Sequence, residues 1–171
     1  MQMVKKSFIV LIVAWLGILV LMPKQELYYK LEEELAKQDI KLNEAKINEG
    51  LFSLTLHQVS VYYKGINVAA IEEVSLCTVL FYSSLELRSL QMDDSLKTMV
   101  PEETKKALLS HSILSPLNIS VDASGSFGSM AGKIDLGERK VRLDFNESKN
   151  IEMLKPQLKK DEKGWFYETS F

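Results

Sequence analysis

The stretch "GSFGSMAGKIDLGERKVRLDF", residues 125–145, holds four glycines, one of them followed by lysine, among alternating apolar residues, and its reading decides the fold. A phosphate loop of the Walker type needs a glycine, four residues, Gly-Lys and then a hydroxyl side chain. Here Gly128 and Gly132 stand one residue too close, and Ile134 follows Lys133 where the hydroxyl belongs. The glycines therefore suit a turn and a close approach of strands in an antiparallel sheet.

With Gly128-Ser129 as a two-residue loop, Phe127 faces Met130, Gly125 faces Gly132, Ala123 faces Ile134 and Val121 faces Leu136. A second turn at Glu138-Arg139 sets Leu136 against Val141 and Ile134 against Leu143. This register gives one apolar face carrying Val121, Phe127, Met130, Ile134, Leu136, Val141, Leu143 and Phe145. On the other face it sets Lys133 opposite Asp144 and Asp135 opposite Arg142, pairs that contribute about 0.2–1 kcal/mol each. An apolar face left in water forgoes roughly 1.5–3 kcal/mol for each large side chain, so something covers it.

Period-two alternation also runs upstream. In "LFSLTLHQVSVYYKGINVAA", residues 51–70, the set Phe52, Leu54, Leu56 slips phase at His57-Gln58 and resumes as Val59, Val61, Tyr63, the mark of a bulge or bend. A turn at Lys64-Gly65 pairs Tyr63 with Ile66 and Val61 with Val68. "VSLCTVLFYSSLELRSLQM" reads as two more strands about Ser83-Ser84. After Asp93-Asp94-Ser95, "VPEETKKALLSHSIL" suggests a short helix opened by Pro101, with acids in its first turn and Leu108 and Leu109 within it. "NIEMLKPQL" allows only short helical pieces because of Pro156, and "GWFYETSF" reads as a last strand.

The N-terminus differs. Phe8 to Met22 is an unbroken run of apolar residues and glycine behind Lys5 and Lys6, spanning roughly 22 Å at about 1.5 Å per residue. That is short of a hydrocarbon core of about 30 Å, a deficit that Lys5, Lys6 and Lys24 cover by reaching to the interfaces. No small-residue cleavage site follows, so an uncleaved anchor is expected, with Phe8, Ile9, Leu11, Trp15, Leu16, Leu19 and Leu21 facing lipid. The basic N-terminus favours a cytoplasmic start. "PKQELYYKLEEELAKQDI" then reads as a helix with Leu27, Leu31 and Leu35 in one stripe, a solvated spacer or a partner-binding helix.

The expected organisation is a cytoplasmic segment 1–6, an anchor 7–23, a juxtamembrane helix 24–39 and a periplasmic β-rich domain 40–171. The fold class is α+β, mainly β: an antiparallel meander with one apolar face and short covering helices. Composition excludes some functions. A net charge of -2 gives no electrostatic case for nucleic acid. One cysteine, Cys77, cannot form an internal disulfide and sits among apolar residues as a packing group. His57 and His111 are distant in the chain and have no Cys partner set, so no metal, cofactor or catalytic residue is expected. The adjacent Glu102-Glu103 pair is no acid/base dyad. The triplets at Asn118 and Asn146 fit a glycosylation pattern short enough to arise by chance.

Taken with the anchor, "PKQELYYKLEEEL", "LFSLTLHQVSVYYKGINVAAIEEVSL" and "SPLNISVDASGSFGSMAGKIDLGERKVRLDFNES", the arrangement resembles the protein N family of type II secretion systems and, more loosely, AsmA-like envelope proteins. The resemblance covers most of the chain. It implies a single-pass protein of the bacterial inner membrane, with a periplasmic domain that serves a secretion apparatus through contacts with other secretion or envelope proteins, without catalysis. The alternative is a lipid-binding or lipid-transfer module, similar to the anchored component of lipopolysaccharide export, that uses the apolar face of the sheet.

Overall fold

The computed structural model describes residues 2–21, 23–79, 81–96, 101–147, 151–152, 154–162 and 164–171. Two helices, α1 (Gln2–Leu21) and α2 (Lys24–Ala36), precede one antiparallel sheet. Its strands are β1 (Ile40–Asn43), β2 (Lys46–Glu49), β3 (Ser53–Tyr63), β4 (Ile66–Val79), β5 (Tyr82–Met92) and β6 (Glu103–Ser112). They continue as β7 (Asn118–Gly125), β8 (Gly128–Asp135), β9 (Lys140–Phe145), β10 (Lys159–Asp161) and β11 (Gly164–Ser170). From β3 to β9 each strand pairs with the next in the chain. β11 then pairs with β9, and β10 with β11; at the other edge β1 and β2 lie end to end along β3.

The sheet is thus mainly a meander, and the short helix expected within 100–114 is strand β6, although Val100 and the residues just before it lie outside the described ones. Pro101 and the neighbouring acids are local helix-start signals, but pairing on both sides overrides them. Ala107 and Leu109 face Leu87 and Leu85 on one side and Ala123 and Val121 on the other. A propensity of tenths of a kcal/mol per residue does not compete with two ladders and a half-buried face.

Two turns also lie elsewhere than expected. β4 runs on to Val79, Cys77 pairs with Ser84, and the reversal falls before Tyr82, ahead of Ser83-Ser84. The Gly128 hairpin turns at Ser126-Phe127, pairing Gly125 with Gly128, Ala123 with Met130, Val121 with Gly132 and Ile119 with Ile134. The reason is Phe127. At the tip of this turn its ring is buried, edge-on to Phe145 with centroids 6.3 Å apart, and full burial of such a ring contributes about 1.5–3 kcal/mol.

The following hairpin is displaced as well, pairing Ile134 with Val141 and Gly132 with Leu143. Leu136 is left in the turn, exposed. Lys133 therefore faces Arg142, not Asp144, and Asp135 faces Lys140, not Arg142. Arg142 is neutralised along its own strand by Asp144 at 2.9 Å and from β10 by Asp161 at 2.6 Å, with its guanidinium 4.2 Å over the Phe166 ring. These two carboxylates hold the guanidinium well above its usual pKa. At Gly132 an added Cβ would lie 2.7 Å from Leu143 Cδ2, so the close approach of strands there requires glycine.

The turn at Lys64-Gly65 stands where the sequence sets it, with both residues at positive φ and Tyr63 paired with Ile66. Val61, however, pairs with Ala69, because a bulge leaves Val68 over. The phase slip at His57-Gln58 belongs to a crease that crosses the sheet. Gln58 has φ 53 and Ser89 has φ 50, and the register of β6 against β7 shifts between Thr104 and Lys106. Across the crease Leu56, Val74 and Leu87 stand in one row and Val59, Ile71 and Leu90 in the next. One left-handed residue resets the alternation, so the apolar side chains remain on one face through the bend.

Two covers bury parts of that face. Under α2, Tyr28 packs with Leu54, Leu56, Val59 and Ile71. Within residues 151–158, which include a 3₁₀ turn at Lys155–Gln157 with Pro156 in its first turn, the fully buried Ile151 packs with Ala123 and Phe127. Met153 of this segment, and Asn150 just before it, lie outside the described residues.

Candidate functional site

α2 is no solvated spacer. Pro23 precedes it, and the helix packs on β1, β2 and β3. Lys24 Nζ is 3.7 Å from Glu49 at the end of β2, and Lys64 N–H donates to Asp39 O just past the other end of the helix. The helix therefore runs the length of the sheet margin, from the β2–β3 turn to the β3–β4 turn. Between these ends, Tyr28 Oη donates to Glu44 Oε2 at 2.7 Å. Burial first, and this carboxylate second, push the phenol pKa above its usual value, so Tyr28 remains a neutral donor at every physiological pH.

Tyr28 alone of the α2 side chains is buried. Leu27 and Leu31 are 43% and 54% exposed, because α2 leans on the sheet margin through Tyr28 and leaves a cleft beside it. This cleft has a volume of about 410 Å³, within the range of roughly 300–1,000 Å³ common for ligand pockets. Leu27 and Leu31 form one wall, Leu54, Leu56 and Val74 the floor, and Leu76 and Leu85 the opposite side. Phe52, Thr78 and Lys24 stand at the end where the chain enters α2. From Thr78 to Val74 the strand rise of about 3.4 Å per residue gives a length of roughly 14 Å. Among the described lining residues, only Lys24, Thr78 and Tyr28 have polar side-chain atoms.

No family model, curated protein or solved structure matches the chain.

The residues that the sequence singles out fall in several places. Val121, Met130, Ile134, Val141, Leu143 and Phe145 lie on the same face as the cleft floor, further along the sheet. Phe127 is in a turn, under Ile151, and Leu136 is in another turn. In α1, Phe8, Ile9, Leu11 and Trp15 are exposed, whereas the side chains of Leu16, Leu19 and Leu21 lie outside the described residues. Among the described residues no helix is long and apolar enough to cross a membrane. The sequence reading missed the cleft-lining set Leu54, Leu56, Val74, Leu76 and Leu85. The available signal was the recurrence of apolar-polar-polar-apolar at Leu56–Val59, Ile71–Val74 and Leu87–Leu90.

The opposite face is charged. His57 Nδ1 lies 3.7 Å from Glu73, Glu73 3.3 Å from Arg88, Arg88 2.6 Å from Glu86, and Glu86 3.2 Å from Lys106. The hydrogen bond from Arg88 holds the Glu86 carboxyl below its usual value of 4.5. His57 also meets Asn48 at 3.0 Å, a structural role at the bend. Cys77 pairs with Ser53 and Ser84 on this face, half-buried, and so is not a core packing group. Among the described residues no cluster of His, Cys, Asp and Glu has the spacing to hold a metal.

Proposed function

We propose that the protein is a membrane-anchored module of the cell envelope that holds the acyl chain of a lipid in the cleft between α2 and the sheet. The observation that carries this reading is the cleft itself, about 410 Å³ and walled by leucines that the fold leaves half-exposed. An apolar chain entering it covers those side chains at about 0.8 kcal/mol for each buried methylene. The anchor is supported by α1, where six consecutive apolar residues, Phe8 to Val13, are exposed around the helix. Such a helix, apolar on every side, is suited to lipid and not to a single protein face. Inner-membrane placement, with the sheet in the periplasm, remains part of this proposal.

The second reading is an assembly component of a secretion apparatus, favoured by two open sheet edges, at β1–β2 and at the short β10, which offer backbone groups for an added strand. One experiment separates the two. A photo-crosslinking residue is placed at Leu76 or Leu85 in cells and its adducts are identified by mass spectrometry. Lipid adducts support the cleft as an acyl site. Adducts with another envelope protein favour the assembly reading, and products within the chain alone overturn both as uses of this cleft.

A further inference from the structure

Strand direction gives the sheet two unlike ends. At the end where the chain leaves α1 and enters α2, the turns are joined side by side by backbone hydrogen bonds: Thr78 N–H to Phe52 O, Ile113 N–H to Phe81 O, Leu136 N–H to Leu117 O and Phe171 N–H to Arg139 O. Exposed large apolar residues line this end: Leu51, Phe81, Ile113, Leu114, Leu117 and Phe171. Leu114 is 89% exposed, at the tip of the uncharged loop Ile-Leu-Ser-Pro-Leu, residues 113–117. Charge among the described residues at this end is limited to the Lys24–Glu49 pair beside the β2–β3 turn and to the β8–β9 turn, where Lys140 pairs with Glu138. Among the described residues, the other end carries Lys64, Asp93, Asp94, Glu102, Glu147 and Glu162, with Tyr63 and Ile66 as exposed large apolar residues.

We infer that the turn end carrying Leu51, Phe81, Leu114 and Phe171 lies in the interface of the same bilayer that receives α1, so that the sheet stands on the membrane by this fringe. The inference rests on the anchor reading above and adds the orientation of the sheet. Three observations converge on a lipid surface as the occupant. The apolar helix α1 ends at Leu21, next to Lys24 and the β2–β3 turn, which places the anchor beside the fringe. The fringe is a row of adjoining turns that present exposed apolar side chains, a shape suited to entering headgroups. The Phe52–Thr78 end of the cleft also lies at this end, so this orientation brings the cleft next to the bilayer.

The test uses the full chain with Cys77→Ser, reconstituted in vesicles of phosphatidylcholine and phosphatidylglycerol. A nitrobenzoxadiazole label is attached at Leu114→Cys or, as the far-end control, at Lys64→Cys; both positions are exposed, so folding is kept. The expected result is flotation with the vesicles, blue-shifted emission and loss of most intensity to doxyl-labelled lipid at position 114, and neither change at position 64. Flotation with both labels in water overturns the fringe and leaves the anchor standing. Equal quenching at both positions overturns the upright orientation. Failure to float overturns the anchor and the fringe with it.

Discussion

Replacing Leu27 and Leu31 together by glutamine separates the cleft's role in binding from its role in folding. Both face the cleft from α2, 43% and 54% exposed, so each has about half of its side chain available to a ligand. Full burial of a leucine contributes about 1.5–3 kcal/mol, and the half left for an acyl chain about 0.8–1.5 kcal/mol. Two such side chains give roughly 1.5–3 kcal/mol, a loss of about tenfold to a hundredfold in affinity. Glutamine nearly matches leucine in helix propensity, and half-exposed positions tolerate the change, so stability shifts by about 1 kcal/mol or less. The assay is photolabelling of the Leu76-bearing peptide by a phospholipid with a diazirine on its acyl chain, titrated in vesicles, beside urea denaturation of the same samples. Unchanged labelling in a folded Leu27→Gln/Leu31→Gln protein would refute the reasoning.

Other outcomes follow from the packing and the charges. Ile151→Ala removes the fully buried side chain of the C-terminal cover, and calorimetry should show a loss of about 2–5 kcal/mol, a fall in Tm of roughly 5–15 °C for a chain of this size. Gly132→Ala drives a Cβ against the Arg142 carbonyl and Leu143 and should cost about 1–3 kcal/mol or more by urea denaturation; a neutral result would contradict the Gly132–Leu143 register. Glu86 has a folded pKa below its ordinary 4.5 through Arg88 and Lys106, so its contribution is present above that value and lost as pH falls through the lower folded one. Urea midpoints of the wild type and Glu86→Gln should therefore differ at pH 7 and converge in strong acid.

How far the sequence reveals this fold depends on what each signal measures. Lys64-Gly65 is legible because a two-residue turn with both φ values positive limits the choice of residues. The Gly128 hairpin is legible as a hairpin but not in register. Shifting the pairing by an even number of residues leaves every side chain on its original face, so alternation cannot distinguish Ala123 with Met130 from Ala123 with Ile134. The apparent charge match of Lys133 with Asp144 favoured the wrong register, because the Arg142 partner Asp161 comes from β10, far along the chain. Residues 103–112 carried helix-start signals whose override came from strands on both sides. The cleft was least legible, since it depends on how α2 leans, and that is set by one buried tyrosine and its bond to Glu44.

The most direct measurement is the intermolecular nuclear Overhauser effect between a carbon-13-labelled acyl chain and the leucine methyls of the full-length protein in lipid nanodiscs. Occupancy of the cleft predicts cross-peaks to the Leu54, Leu76 and Leu85 methyls, with none to Leu90 on the far side of the crease. Cross-peaks confined to α1 and Leu114, with the Leu54 and Leu85 methyls silent, would contradict an acyl chain between α2 and the sheet.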